Sequence, residues 1–464
     1  MKKVIAIAAA GVIGLIGLTF TNFGIDRRPV LKVANWAEYI DGGDADSPLI
    51  EEFEAWYKQQ TGKDIRVEYC IADDNETLYN MIKMGDHFDI VCPSEYMLMK
   101  LVAEDYVQKL PESFFNTENP LNYYANNVSP FIAKTFKSNH MSNGSSWEEY
   151  SAGYMWGTTG FVYNPEFVKE ADVAKWDVFT NTAYAKKITA KNNIRDTYFT
   201  GLGMHYDTEL RDLKAEYESK TLSLPEYQAK LKTLMNDTDQ STMDAVKAKL
   251  MSMTDNLYGF ETDEGKSKII AGDITINFQW SGDAVYVMNV ADGTEEDEDT
   301  VVTEPVYLNY SIPETVSNLW FDGWTLMKNC KDVDAATMFI NFMSMPENAV
   351  RNMEYIGYTS CIGSKTVYEN FALDCYEAEE DATDVVLYDL NYYFNPIYDA
   401  TDEQTKAATR SEEYTFYCNS DQVKRQLFAQ YPDEETLARC VAMDYFDANA
   451  NTRANNMWSD ITFF

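Results

Sequence analysis

The chain has 464 residues, of which 45% are hydrophobic, and carries 38 Lys and Arg against 75 Asp and Glu, a formal net charge of −37. A single hydrophobic core stops growing near ~250–300 residues, so this length implies two or three domains, and the apolar fraction excludes wholesale disorder. So strong a negative balance repels nucleic acid and anionic lipid, and it attracts cations from a distance.

Taken in chain order, Lys2 and Lys3 precede an uncharged apolar run, Val4 to Phe20, which gives way to a polar exit at Thr21. This is the layout of a signal peptide or of an N-terminal membrane anchor over residues 1–29. From Val30 the pattern alternates. A strand over Val30 to Asn35 is followed by a helix that Ser47 caps and Pro48 opens, with Leu49, Ile50, Phe53, Trp56 and Tyr57 on its apolar face and Gly62 as its stop. A strand over Ile65 to Cys70, a helix over Glu76 to Met84, a strand over Phe88 to Cys92 and a helix from Glu95 to Glu104 come next. Strands alternating with helices of this length predict a mainly parallel sheet covered on both faces, with ligands beyond the carboxyl ends of the strands. A second α/β region runs from Trp156 to about Ser311. It carries a helix-rich stretch, Asp207 to Met251, read as an exposed hairpin, and an acidic loop, Thr294 to Asp299, read as solvated. A helix over Ala335 to Ser344 follows, and a Tyr-rich acidic stretch, Glu377 to Glu413, reads as an irregular insertion.

Catalytic motifs are missing. The sequence has no His-Glu-x-x-His, no phosphate-cradling Gly-rich loop ending in Lys-Ser/Thr and no Gly-x-Ser-x-Gly, so the chain is expected not to be an enzyme. Its three histidines are scattered and its seven cysteines form no Cys-x-x-Cys, so neither a metal nor another cofactor is expected. The cysteines read as buried thiols with one bridge at most, Cys330 with Cys361 or Cys375 with Cys418.

Four distant stretches instead put an aromatic ring beside a carboxylate: Asn35-Trp36-Ala37-Glu38-Tyr39, Pro93-Ser94-Glu95-Tyr96, Trp280-Ser281-Gly282-Asp283 and Trp320-Phe321-Asp322. Taken singly, Trp36 and Trp320 read as core residues and Glu38 as a solvated carboxylate. Gathered together, rings and carboxylates make a slot for an organic cation, because a ring face and a carboxylate both attract positive charge. Each ammonium has three donors and a large desolvation cost, so several acids point to primary amines rather than to a quaternary ammonium.

These stretches, in this order, resemble the spermidine/putrescine-binding proteins that serve ABC importers. The likeness extends through Asn75-Glu76-Thr77-Leu78-Tyr79, Phe88-Asp89-Ile90-Val91-Cys92-Pro93-Ser94, Trp156-Gly157-Thr158-Thr159-Gly160 and Ile356-Gly357-Tyr358. The resemblance implies a two-lobed α/β clamp of the type II periplasmic-binding-protein kind, each lobe a mainly parallel sheet flanked by helices, with the ligand in the cleft. It implies one lobe over 30–155 plus 313–464, carrying the 377–413 insertion, and another over 156–312, carrying a helical insertion at about 207–251. It further implies that Trp36, Tyr39, Tyr96, Trp280 and Trp320 line the cleft, that Glu38, Asp196, Asp283 and Asp322 pair with ligand nitrogens, and that Ser94 and Tyr358 add polar contacts. Asp196 is placed by the likeness of Asn193-Ile194-Arg195-Asp196 to the family's Asp-x-x-Glu segment; Asn193 and Ala37 depart from the family pattern.

The implied function is capture of putrescine or spermidine in the periplasm, or at the outer face of the cytoplasmic membrane, and delivery to an ABC permease. The N-terminal segment would be the link to the membrane, with no nucleic-acid partner. Two alternatives stand beside it: the same clamp holding another small cationic solute, and a surface adhesin or enzyme built on the clamp.

Overall fold

The computed structural model describes residues 26–293 and 304–462. The N-terminal apolar run and the acidic loop at 294–299 therefore lie outside the described residues. Among the described residues no helix is long and apolar enough to cross a membrane.

The alternating start of the chain folds as its periodicity dictates. β1 (Val30–Trp36), β2 (Arg66–Ala72) and β3 (Ile90–Val91) are parallel, with β1 in the middle. The helix Pro48–Thr61 between β1 and β2 begins where Ser47 Oγ accepts from Leu49 N at 3.2 Å, and it ends at Gly62, whose φ of 72° a residue with a Cβ adopts at a cost. It buries Leu49, Ile50, Phe53 and Tyr57. The helix Asn75–Met84 is capped by Asp74, whose Oδ1 accepts from Thr77 N at 2.6 Å.

Two long strands leave this sheet. β4 (Ser151–Tyr163) is buried along its whole length. β5 (Ile188–Lys191), β6 (Gly259–Glu261), β7 (Ile276–Trp280) and β8 (Asn309–Ser311) follow, and then β9 (Ser317–Leu326), also buried throughout. The sheet runs β2-β1-β3-β9-β4-β7-β5-β6. β9 lies antiparallel to β3 at one end and to β4 along most of its length, while β7 pairs antiparallel with the far half of β4 and parallel with β5. Two parallel sheets are thus joined through one antiparallel pair of crossing strands, which is the two-lobed clamp. The second lobe's parallel strands are β6-β5-β7.

Several stretches differ from their sequence reading. Asp207 to Met251 forms three helices, Asp207–Glu218, Leu224–Met235 and Gln240–Thr254. The third is not an exposed arm: it buries Met243, Val246, Leu250 and Met253, and Gly201 leaves the room that Val246 and Leu250 fill. The Tyr-rich insertion is not irregular. Ahead of it, β10 (Thr359–Ser360) pairs with β4; within it, β11 (Val385–Asp389) pairs with β12 (Thr415–Asn419), just past its end, as an antiparallel ribbon, and Asn391–Phe394 and Glu403–Thr409 are helical. Tyr393 in the insertion is fully buried; its hydroxyl accepts from Trp156 Nε1 at 2.9 Å and donates to Ser360 O.

The C-terminal part, expected with the first lobe and bonded to it through Met443 N on Glu95, also contacts the second. Arg425 pairs with Asp292 at 2.6 Å and Lys424 with Glu170 at 2.7 Å. β13 (Cys440–Val441) joins the start of β9, and Trp458 of the last helix meets Phe260 with ring centres 5.1 Å apart. Neither expected disulfide is present: all seven cysteines are free. Five are buried against apolar surroundings that push their thiols up, Cys92 and Cys361 most of all.

Candidate functional site

The carboxyl ends of the parallel strands of both lobes face one cavity of about 1180 Å³. From the first lobe come Trp36, Glu38 and Tyr39 after β1, and Ser94 and Tyr96 after β3. From the second come Asp196 after β5, and Trp280 and Asp283 at the end of β7. Trp320 and Asp322 sit on the crossing strand β9, and Tyr358 follows the helix Pro346–Ile356. All eleven residues singled out in the sequence line this one cavity.

Asp322 is its best-built element. Its carboxylate is 6% exposed. It accepts from Tyr39 OH at 2.9 Å, Trp36 Nε1 at 3.3 Å and Ser94 Oγ at 2.6 Å, and Asn75 Nδ2 fixes Ser94 in turn at 2.9 Å. These donors are all neutral, and among the described residues no cation pairs with Asp322. Burial raises its carboxyl to about 6 despite the three hydrogen bonds. Rings wall it: Tyr39 meets Tyr358 edge-on at 5.2 Å, and Trp320 lies 5.5 Å from Tyr358.

Two glycines make this packing possible. A Cβ on Gly157 would run into Ser281 and the Trp320 indole, and one on Gly282 would overlap the Tyr358 ring. Glu38 stands at the exposed rim, where its backbone takes a φ of 52° and its N–H donates to Asp44 Oδ1 at 2.8 Å.

The second-lobe wall differs, because the protein's own cations reach it. Lys191, 1% exposed, stands 3.8 Å from Asp283 Oδ2, lies over the Trp280 ring at 4.0 Å and donates to Thr262 O at 2.8 Å. Lys266 is 3.7 Å from Asp283 Oδ1, and Asp283 holds its ammonium well above the usual lysine range. Arg195 lies over the Tyr96 ring at 4.3 Å and over Phe446 at 3.7 Å, and it donates to Asp444 O. Asp196, raised to about 6 by burial, takes the Trp280 indole N–H and sits in the field of Lys191 and Arg195. Asn193, the departure noted in the sequence, caps the helix Ile194–His205 through Arg195 N at 2.8 Å.

Sequence reasoning missed these three cations, since nothing in their spacing distinguishes them from surface lysines and arginines. It also missed Glu95 as a buried acid. Burial raises Glu95 to about 8, so it is neutral at pH 7, and its oxygens accept from Phe321 N at 3.0 Å and Met443 N at 3.4 Å. That ties the helix Glu95–Ala103 to the crossing strand β9. No cluster suited to a metal ion is found among the described residues.

Comparisons with known proteins agree with this geometry. A family model described as bacterial extracellular solute-binding protein matches residues 49–370. The chain is 25% identical over 347 residues to the spermidine/putrescine-binding periplasmic protein of Escherichia coli strain K12, covering 74% of this chain and 81% of that one. It is 24% identical over 352 residues to the putrescine-binding periplasmic protein SpuD of Pseudomonas aeruginosa, covering 75% and 80%. Among solved structures, the spermidine/putrescine ABC transporter substrate-binding protein PotD of Streptococcus pneumoniae superposes with a TM-score of 0.56 at 25% identity, over 94% of this chain and 99% of that one.

Proposed function

This chain belongs to the bacterial extracellular solute-binding protein family, and from that premise we propose that it captures a polyamine, putrescine or spermidine, outside the cytoplasm and delivers it to an ABC import permease. One observation carries the reading: Asp322 is a buried carboxylate among four rings with three neutral donors and, among the described residues, no cation of its own. An ammonium placed there regains the charge partner and the hydrogen bonds it loses on leaving water. Each ring contact contributes roughly 0.5–2 kcal/mol and each charge-assisted hydrogen bond about 1.5–3 kcal/mol. The relatives named above, which bind spermidine and putrescine or putrescine, support the same ligand class.

In this reading Trp36, Tyr39, Trp320 and Tyr358 enclose the ligand's head and methylenes, Asp322 pairs with its nitrogen and Ser94 orients Asp322. Glu38, Tyr96, Asp196, Trp280 and Asp283 form the rest of the wall. The lobes, 30–155 with part of 313–464 against 156–312, close on the ligand, and the permease takes up the closed form, a population shift driven by tighter binding to that form. The protein carries its ligand and performs no chemistry on it, and its N-terminal segment directs it across the membrane or holds it there.

Titration calorimetry with putrescine, spermidine, cadaverine and arginine tests the proposal. Heat and thermal stabilisation with the polyamines support it. Their absence with every polyamine refutes it.

A further inference from the structure

Asp283 already has two cationic partners inside the protein, Lys191 at 3.8 Å and Lys266 at 3.7 Å. Lys191 is buried, and its ammonium is spent on Asp283, on the Trp280 face and on Thr262 O. Lys266 reaches the other oxygen of Asp283 from the helix Glu264–Ile270 and lines the cavity itself. The neighbouring acid, Asp196, lies beside Lys191 and Arg195, and Arg195 covers Tyr96. Glu95 is neutral and tied to two backbone N–H groups. Asp263, at the exposed rim, pairs with Lys266 at 3.3 Å, and the other acids around the cavity, Glu38 among them, stand exposed, where water screens them. Among the described residues, the first-lobe end therefore presents one buried carboxylate with neither a cation nor a backbone N–H on it, Asp322, and the second-lobe end presents buried acids that already have cations beside them.

We propose that Lys266, backed by Lys191, is a specificity-determining residue: it holds Asp283 as a built-in ammonium, so the cleft takes an amine through one charged head at Asp322 and gains little from a cation at the ligand's far end. This rests on the amine-binding reading above and narrows it to ligands recognised by a single primary ammonium. A second ammonium entering the far end must displace Lys266 or go unpaired beside it, and like charges in a partly desolvated wall repel.

The test is calorimetry at one pH with butylamine and putrescine, which differ only in the second ammonium, on the full chain and on K266M, K266R and K266M/D283N. The affinity ratio of putrescine to butylamine is the readout, because it cancels effects on the ammonium and methylenes that the two ligands share. The expected ratio for the unaltered chain and for K266R is below about tenfold. In K266M it should rise at least a further tenfold, the size of one charge-assisted hydrogen bond, and in K266M/D283N the rise should vanish, because Asp283 is what the lysine masks. Lys266 lies at the cavity wall rather than in the core, so its variants should fold, and binding of butylamine reports that they have. A ratio above about a hundredfold in the unaltered chain, or an unchanged ratio in K266M, overturns the proposal while leaving amine binding standing. If neither amine binds any of the four proteins, the amine-binding reading fails and this proposal falls with it.

Discussion

Replacing Asp322 by Asn should make the empty protein more stable and the binding protein useless. The Asp322 carboxyl has an ordinary value of 3.8 and is raised to about 6 by burial. Below pH ~3 it is protonated in both folded and unfolded chains and contributes nothing. Between about pH 4 and 6 the unfolded chain's carboxyl ionises while the folded one still holds its proton, so stability falls by about 3 kcal/mol relative to a chain lacking the group and levels once pH has risen through about 6. An amide at this position keeps its oxygen for Tyr39 and Trp36 and can donate to Ser94 Oγ, at a cost of about 1 kcal/mol for the altered hydrogen bond. Without ligand, D322N should therefore be more stable than the unaltered chain by about 2 kcal/mol at pH 8, with the advantage lost by pH 4. Urea unfolding of both proteins at intervals from pH 4 to 8 reads this directly, since the difference between them cancels every other titrating group. The same variant should lose amine binding by a hundredfold or more, and in the unaltered chain affinity should climb as pH rises towards 6 and then level, because only the ionised carboxylate holds an ammonium. Parallel stability curves at all pH values, or D322N less stable at pH 8 than at pH 4 relative to the unaltered chain, would refute the reasoning.

Three other outcomes are expected. Gly282→Ala should push the Tyr358 ring out of place, costing roughly 1–3 kcal/mol of stability and at least tenfold in amine affinity; unchanged unfolding and calorimetry would contradict the packing described. Thiol titration without reductant should find all seven cysteines in denaturant and, in the folded chain, rapid reaction only at the exposed Cys375 and the half-buried Cys70; a shortfall of two in denaturant would mean a disulfide. The charge of −37 should steer cationic ligands, so the association rate followed by Trp fluorescence should drop about tenfold between 10 and 200 mM salt; a salt-independent rate would remove electrostatic steering from the account.

Much of the site was legible in the residues because of where a parallel sheet puts things. Strands separated by crossover helices all point the same way, so whatever follows each strand arrives at one edge of the sheet. Asn35-Trp36 and Ser94 were readable for that reason, Trp280 and Trp320 stood out by the carboxylate beside each ring, and the resemblance supplied Asp196 and Tyr358. Local signals were equally reliable: Ser47, Pro48 and Gly62 bound the first helix as their chemistry requires.

What the sequence determined by itself is therefore short-ranged: strand and helix periods, caps, and the convergence of strand ends into a ring-walled acidic cavity. Only the tertiary structure decided which of those acids still lacks a partner. Lys191 and Lys266 are 92 and 17 residues from Asp283, on different elements, and no periodicity encodes a separation of 3.7–3.8 Å between elements of one lobe. The same holds for the C-terminal helix, which crosses to the second lobe through contacts such as Trp458 on Phe260. Periodicity fixes which face of an element is apolar, but which other face it meets, and which charge is neutralised there, follows from the packing of the whole chain.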